Sequence, residues 1–323
     1  MIISKTPYRL PLSGGGTDLK FYYSKKGSEF LTASINEYVY VLLSHRKIDN
    51  NYLIQTTKSQ FANTLSQVDH VLIKETLKYF KIKEKLHIGT FSTVPTRTGL
   101  GTSSAMVVGL INCIIKFKNI KMTNKKIYEI AYHIERKVCK IAGGWQDQII
   151  STYGGALKVT ITKNEKITVS KISFTKNLEK VINNNLLLIY TSIKRESSLV
   201  IKSQSKNRRK IIKFYDKIKS LNSEFIKLIK SNDINNLGKL LSFHWTLKKK
   251  LSNRITDKNL ENFYHNINKK IDILGHKLIG AGGGGFYLIC VKNKKNTIQS
   301  LTKNKIKFID LKYEKFGSKI VKL

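Results

Sequence analysis

Twenty glycines serve 323 residues, and many of them gather in three short runs: LSGGGTD at 12–18, VPTRTGLGTSSA at 94–105 and GAGGGG at 280–285. Glycine admits positive φ and lets a ligand approach main-chain N–H groups, and phosphate binding uses both properties. One such run alone is a weak signal, because glycine turns more often serve chain geometry. The middle run is more specific: it leads from a strand-like segment, LHIGTF, into an apolar segment that opens with Thr102, Ser103 and Ser104. A helix N-terminus there presents unpaired N–H donors and partial positive charge to a phosphate, with hydroxyls placed for a phosphate oxygen or Mg²⁺. Pro95, Gly99, Leu100, Gly101, Thr102, Ser103, Ser104 and Ala105 therefore make a candidate phosphate loop. It matches neither the GxxxxGK[ST] pattern nor a G-x-G-x-x-G with a following acidic residue. The competing reading is a capped helix whose small residues serve tight packing.

Phosphoryl transfer also needs carboxylates, to hold Mg²⁺ and to receive or orient the acceptor proton. Acidic residues are scarce, 21 against 59 Lys+Arg, which gives weight to Asp147 in AGGWQDQIISTYGG and to Glu135 upstream of it. Asp147 follows a glycine pair and an aromatic residue in a turn-like sequence, where a capping aspartate is common. Residue types alone leave cap and catalyst level.

The elements that must position these groups divide along the chain. INEYVYVLLSH (35–45) and LHIGTF (86–91) carry the β-branched and aromatic content of strands, and NYLIQT (51–56) is a candidate to pair with the first. SSAMVVGLINCIIKFK (103–118) is apolar on every side, as a helix buried between layers would be. Thr123 is placed to cap the next helix, with Ile127, Ile130, Ala131, Ile134, Val138 and Ile141 at helical spacing, Glu135 at the edge of that stripe and Gly143-Gly144 as the stop. GALKVTIT, KITVSKI and NLLLIYTS, between 155 and 190, read as strands. Composition then changes, which predicts a boundary near 180 between domains 1–180 and 181–323. From 208 to 274 the pattern is helical, before GAGGGGFYLICV reads as a glycine turn entering a buried strand.

The three cysteines are distant from one another and lie in apolar surroundings, so neither a disulfide framework nor a metal site is indicated. No apolar run approaches a membrane span, and MIISKTPYRLPLSGGGTD reaches proline and glycine before a signal-peptide core could form. A soluble, cytoplasmic protein is the expectation. A formal charge of +38 would attract nucleic acid, an anionic membrane or a phosphorylated metabolite, but its lysines are scattered rather than gathered in one stripe. Nothing resembles a helix-turn-helix, a zinc finger or an RNP motif, which disfavours a basic nucleic-acid-binding protein.

PTRTGLGTSSA resembles the P-x-x-x-G-L-G-S-S-A motif of the GHMP kinases, GAGGGG their third motif, and the early arginine with its downstream aspartate their first. Within that family PYRLPLSGGGTDLKFYY, INEYVYV, GWQDQ followed by YGG, LLSFHWTLKKKLS and KLIGAGGGGFYL resemble the D-glycero-D-manno-heptose 7-phosphate kinases and their fucose-kinase-like relatives. Ser192 departs from that pattern, standing where such enzymes have a glycine. The resemblance implies a two-domain α/β (α+β) fold: an N-terminal domain of the ribosomal S5 domain 2 type with a left-handed βαβ crossover, and a ferredoxin-like C-terminal domain. It implies an ATP- and Mg²⁺-dependent kinase acting on the anomeric hydroxyl of a heptose 7-phosphate, supplying nucleotide-activated heptose for surface polysaccharide. A kinase for a neutral sugar such as fucose or galactose is the alternative.

Carried over by position, Asp147 resembles the catalytic aspartate, with Arg9 beside it, and Glu135 the magnesium-binding glutamate. Ser103, with Ser104 as alternative, resembles the hydroxyl ligand of metal and phosphates; Gly282 and Gly283 join the nucleotide site. Arg9 and Asp18 match sugar-positioning residues, and Gly14, Gly15, Gly16 and Thr17 form the turn presenting Asp18. For a 7-phosphate, Arg195 is the first candidate, with Lys194, Lys248 and Lys277 as others. The expected partners are ATP and a phosphorylated sugar, with no nucleic acid or membrane and a homodimer as a candidate assembly.

Overall fold

The computed structural model describes residues 1–96, 98–193, 197–204 and 208–322. The sequence assignments to Lys194 and Arg195 lie outside them.

Two long strands, β1 (Ile2–Ser13) and β2 (Ser28–His45), pair antiparallel through almost the whole of β1. Their register shifts next to Pro7 and Pro11, which cannot donate to a ladder. Helix α1 (Lys20–Lys26) lies in the connection between them. Strands β3 (Tyr52–Gln55) and β4 (Ser59–Ala62) form a hairpin, α2 (Val71–Tyr79) follows, and β5 (Leu86–Ser92) pairs antiparallel with β2. The expected pairing of 51–56 with 35–45 is corrected: β5 lies between them and takes β3 as a parallel neighbour, because a strand reached through a helical connection can return parallel.

Helix α3 (Thr102–Phe117) is buried on nearly every side, between β1 and β2 and the helices that follow. Its Gly109 faces Ser4, Thr6 and Val41 of those strands. Helix α4 (Asn124–Tyr132) is capped by Thr123, whose hydroxyl accepts from Lys126 N at 3.2 Å. It does not run to Gly143-Gly144 as the spacing predicts. It widens into a π turn, His133–Val138, and ends where Lys140 takes φ of +53° and Ile141 N–H reaches back to Glu135 O. Val138 consequently leaves the apolar stripe and is exposed, whereas Glu135, expected at the stripe's edge, is fully buried.

Helix α5 (Gln146–Tyr153) precedes the β6 (Ala156–Ile161) and β7 (Ile167–Lys171) hairpin, and β6 pairs with β2. A helix not read from the sequence, α6 (Thr175–Asn185), then carries the chain through residue 180 to a second sheet. It buries Leu178, Val181 and Ile182, at spacings of three and one.

That sheet consists of β8 (Leu186–Tyr190), β9 (Gly275–Leu278), β10 (Phe286–Cys290) and β11 (Phe308–Asp310). Between β8 and β9 come α7 (Ser197–Gln204), α8 (Arg208–Ser231), α9 (Ile234–Lys249) and α10 (Lys258–Asn268), and α11 (Lys294–Lys303) joins β10 to β11. The order β11-β8-β10-β9, antiparallel throughout, is the ferredoxin-like arrangement. A last strand, β12 (Lys319–Ile320), returns to pair with β1. The described cysteines are all free, and no helix among the described residues is long and apolar enough to cross a membrane.

Candidate active site

A cleft of about 1120 Å³ opens between the first sheet with α3 and the second sheet with α8 and α9, roomy enough for two small molecules. On its α3 side the wall includes Pro95, Gly99, Gly101, Thr102 and Ser103, so most of the candidate phosphate loop faces the cleft. Gly101 carries φ of +81° at the start of α3, and the first helical bond is Ala105 N–H to Gly101 O at 3.0 Å. The N–H groups of the preceding turn therefore have no intrahelical acceptor and form an anion cradle. Leu100 and Ala105 lie in the core behind it.

Ser103 and Ser104 differ in position. Ser103 is exposed to the cleft, and its hydroxyl donates to Glu135 Oε1 at 3.0 Å. Ser104 is fully buried and donates to Glu135 Oε2 at 2.6 Å. Gln148 Nε2 also donates to Oε2, and the Arg136 guanidinium lies 3.7 Å from Oε1. Glu135 is thus a buried carboxylate with Oε2 held from within and Oε1 turned toward Ser103.

Arg9, on β1, donates through Nε to Asp147 Oδ1, and its own N–H bonds Leu100 O, tying strand, loop and carboxylate together. Gly101 is small for this reason too, since a Cβ there would meet Asp147 Cγ at 3.2 Å and Arg9 Cγ at 3.3 Å. Asp147 stands in the first turn of α5, yet Asp18 does the capping: its Oδ2 accepts from Gln146 N at 3.0 Å. Asp147 is left facing the cleft. Gly144 passes so close to Asp18 that a Cβ would stand 2.1 Å from Oδ2, which explains glycine at this position. Burial pushes the Asp18 carboxyl above its ordinary range against the Gln146 bond, with Asp147 raising it further and Arg9 opposing.

Gly15, Gly16 and Asp18 line the cleft, while Thr17 is buried with its hydroxyl on Gly14 O at 2.7 Å, holding the turn closed. Gly282 and Gly283 pack against Ile255, where Gly283 N–H donates to Ile255 O at 2.7 Å, and it is Gly280 and Ala281 that line the cleft. Sequence reasoning passed over Arg136, Gln148 and His244. Gln148 sits one residue past Asp147 in GWQDQ, and His244 in FHWTLK one helical turn before Lys248, so both stood inside segments already marked out.

Family models match the chain twice: GHMP kinases N terminal domain over residues 70–155 and GHMP kinases C terminal over residues 225–304, together more than half its length. The chain belongs to the GHMP kinases. This GHMP kinase is a phosphotransferase, and ATP is the family's phosphoryl donor. It is similar to D-glycero-alpha-D-manno-heptose 7-phosphate kinase of Campylobacter jejuni, with 29% identity covering 98% of each chain. A putative sugar kinase structure from Campylobacter jejuni superposes with TM-score 0.75 at 26% identity, covering 100% of this kinase and 98% of that chain. A D-glycero-D-manno-heptose 1-phosphate kinase from Bacteroides thetaiotaomicron superposes with TM-score 0.81 at 22% identity, covering 100% and 99%, a likeness of fold.

Proposed function

We propose that this kinase transfers the γ-phosphoryl group of ATP to the anomeric hydroxyl of a heptose 7-phosphate. The observation that carries the reading is Asp147, excused from capping α5 by Asp18 and held by Arg9 beside the N-terminal turn of α3. A sugar hydroxyl against Asp147 then meets a phosphate cradled by α3. The end-to-end likeness to the Campylobacter jejuni kinase supports a heptose 7-phosphate as acceptor. The boundary between the two kinase domains falls near residue 180 in this reading.

Each group has a task that follows from its surroundings. The N–H groups from Gly99 to Ser104 hold the nucleotide phosphates and supply fixed dipoles where charge develops. Arg9 orients the Asp147 carboxylate so that Oδ2 is directed to the acceptor, whose proton it takes or orients. An anomeric hydroxyl is more acidic than an ordinary one, so Asp147 acts chiefly through position and charge. Asp18 and the Gly15-Gly16 turn hold the sugar.

Ser103 Oγ and Glu135 Oε1, 3.0 Å apart, are hard oxygen donors that would hold Mg²⁺. When bound, the ion neutralises charge on the β- and γ-phosphates. The buried bonds to Ser104 and Gln148 keep Glu135 aimed whether or not a ligand is present.

A panel of heptose 7-phosphate, fucose, galactose and mannose, assayed by ADP release, tests the reading. The highest kcat/KM is expected for heptose 7-phosphate. A higher value for fucose or galactose would replace the acceptor while leaving the kinase chemistry intact.

A further inference from the structure

The cleft wall contributed by the second sheet and α9 carries three basic side chains: His244 and Lys248, one turn apart on α9, and Lys277 on β9. They are 6%, 9% and 2% exposed. A lysine is seldom buried as far as Lys277 without an acid to pair with. Among the described residues no carboxylate pairs with Lys277 or His244.

Lys277 is held in place by a contact that does not neutralise it. Lys277 Nζ donates to Leu12 O at 2.6 Å, using one of its three N–H groups. Lys248 Nζ donates to Leu278 O at 2.9 Å and to Gly280 O, under the turn that leaves β9. His244 is buried with a hydrogen-bond partner on neither ring nitrogen, and Arg9 Nη1 is buried in the same condition. Buried polar atoms are nearly always satisfied, and leaving one bare costs about 1–3 kcal/mol. The bare ring N–H of His244 and the spare N–H groups of Lys277 therefore point to an absent acceptor with more than one oxygen.

We propose that His244 and Lys277, with Lys248 beside them, form the site for the phosphate already carried by the sugar. This rests on the reading of the chain as a sugar kinase and adds to it the residues that select a phosphorylated acceptor. Electrostatics agree. Burial, and secondarily the Arg9 charge on β1, push the Lys277 ammonium down to about 7. His244 is held well below the ordinary imidazole range by burial and by Lys277 and Lys248, which face it from β9 and from its own helix. A phosphate dianion reverses these effects, so its binding draws protons onto the site.

The test uses the full chain with saturating ATP, comparing D-glycero-D-manno-heptose 7-phosphate with the same heptose lacking the phosphate, in wild type, His244→Gln, Lys277→Met and Lys277→Arg. Wild type should prefer the phosphorylated sugar. The ratio of the two kcat/KM values should fall about 30-fold in His244→Gln and Lys277→Met, mainly through KM for the phosphorylated sugar, and less in Lys277→Arg. Equal losses on both sugars, or a wild type that treats them alike, would overturn the site and leave the kinase reading standing. If wild type phosphorylates neither, the kinase reading fails, and the site is judged by calorimetry of inorganic phosphate with a non-hydrolysable ATP analogue filling the phosphate loop. Binding with proton uptake, abolished in Lys277→Met, supports it; no binding overturns it. Should Lys277→Met fail to fold by circular dichroism, His244→Gln carries both measurements.

Discussion

At the α3 end of the cleft the positive field comes from backbone: N–H groups of a glycine loop, fixed by the φ of Gly101 and independent of pH. At the α9 end the polar groups are side chains, His244, Lys248 and Lys277, brought together from two elements and desolvated by the fold. A backbone cradle stays charged in the same way with or without ligand. A buried lysine whose ammonium is pushed down to about 7 gains its full charge when an anion arrives. The first end thus suits a ligand shared by a whole family, ATP, and the second suits discrimination between acceptors.

Four substitutions break or sharpen this contrast. Asp147→Asn, between the two ends, should lower kcat about 10³-fold while ATP affinity, measured by calorimetry, stays close to wild type. Retained turnover would remove Asp147 from the chemistry. Gly101→Ala places a Cβ against Asp147 and Arg9 at a φ that L-residues resist, and should raise KM for ATP and lower kcat, each roughly tenfold. Its effect should fall equally on phosphorylated and unphosphorylated acceptors, unlike that of substitutions at the other end.

Lys277 gives the second end a pH signature. Its folded pKa, about 7, lies below the ordinary 10.5, so between those values the unfolded chain holds a proton that the folded chain has released. Its contribution to unfolding free energy therefore rises with pH across that window, by at most about 1.4 kcal/mol per pH unit. Chemical denaturation from pH 7 to 9 should show the rise in wild type and a flatter profile in Lys277→Met. The smallest effect is expected at Ser192, which takes φ of +59°, a left-handed conformation that glycine adopts more readily. Ser192→Gly should stabilise the chain by roughly 0.5–1 kcal/mol by the same method.

The two ends also differ in how far they could be read from sequence. The phosphate loop and α3 are contiguous, so glycine spacing, hydroxyls and an apolar helix announced them together. Ser103 and Ser104 could not be told apart there, because which hydroxyl faces the cleft depends on the rotation of α3 against Gln148. Lys248 and Lys277 were read as two of four basic candidates for a 7-phosphate, with Lys194 and Arg195, but His244 not at all, since the bare burial of its ring nitrogens is a property of the assembled cleft. The same locality explains the fold. The strands at 35–45 and 86–91 and the cap at Thr123 were legible, whereas the place of β5 between β2 and β3 is a long-range matter. Helix α6 escaped because its short apolar stripe lies between two segments of stronger strand character.

The central claim is that one cleft joins the two ends, so that the γ-phosphoryl group passes to the sugar hydroxyl beside Asp147. Phosphorus NMR of the enzyme with ATP, Mg²⁺ and D-glycero-D-manno-heptose 7-phosphate tests it directly. The account predicts one new phosphate resonance, coupled to the anomeric proton and growing in step with ADP, while the 7-phosphate resonance persists. ADP formed without that resonance, or a new phosphate coupled to any other sugar proton, would contradict it.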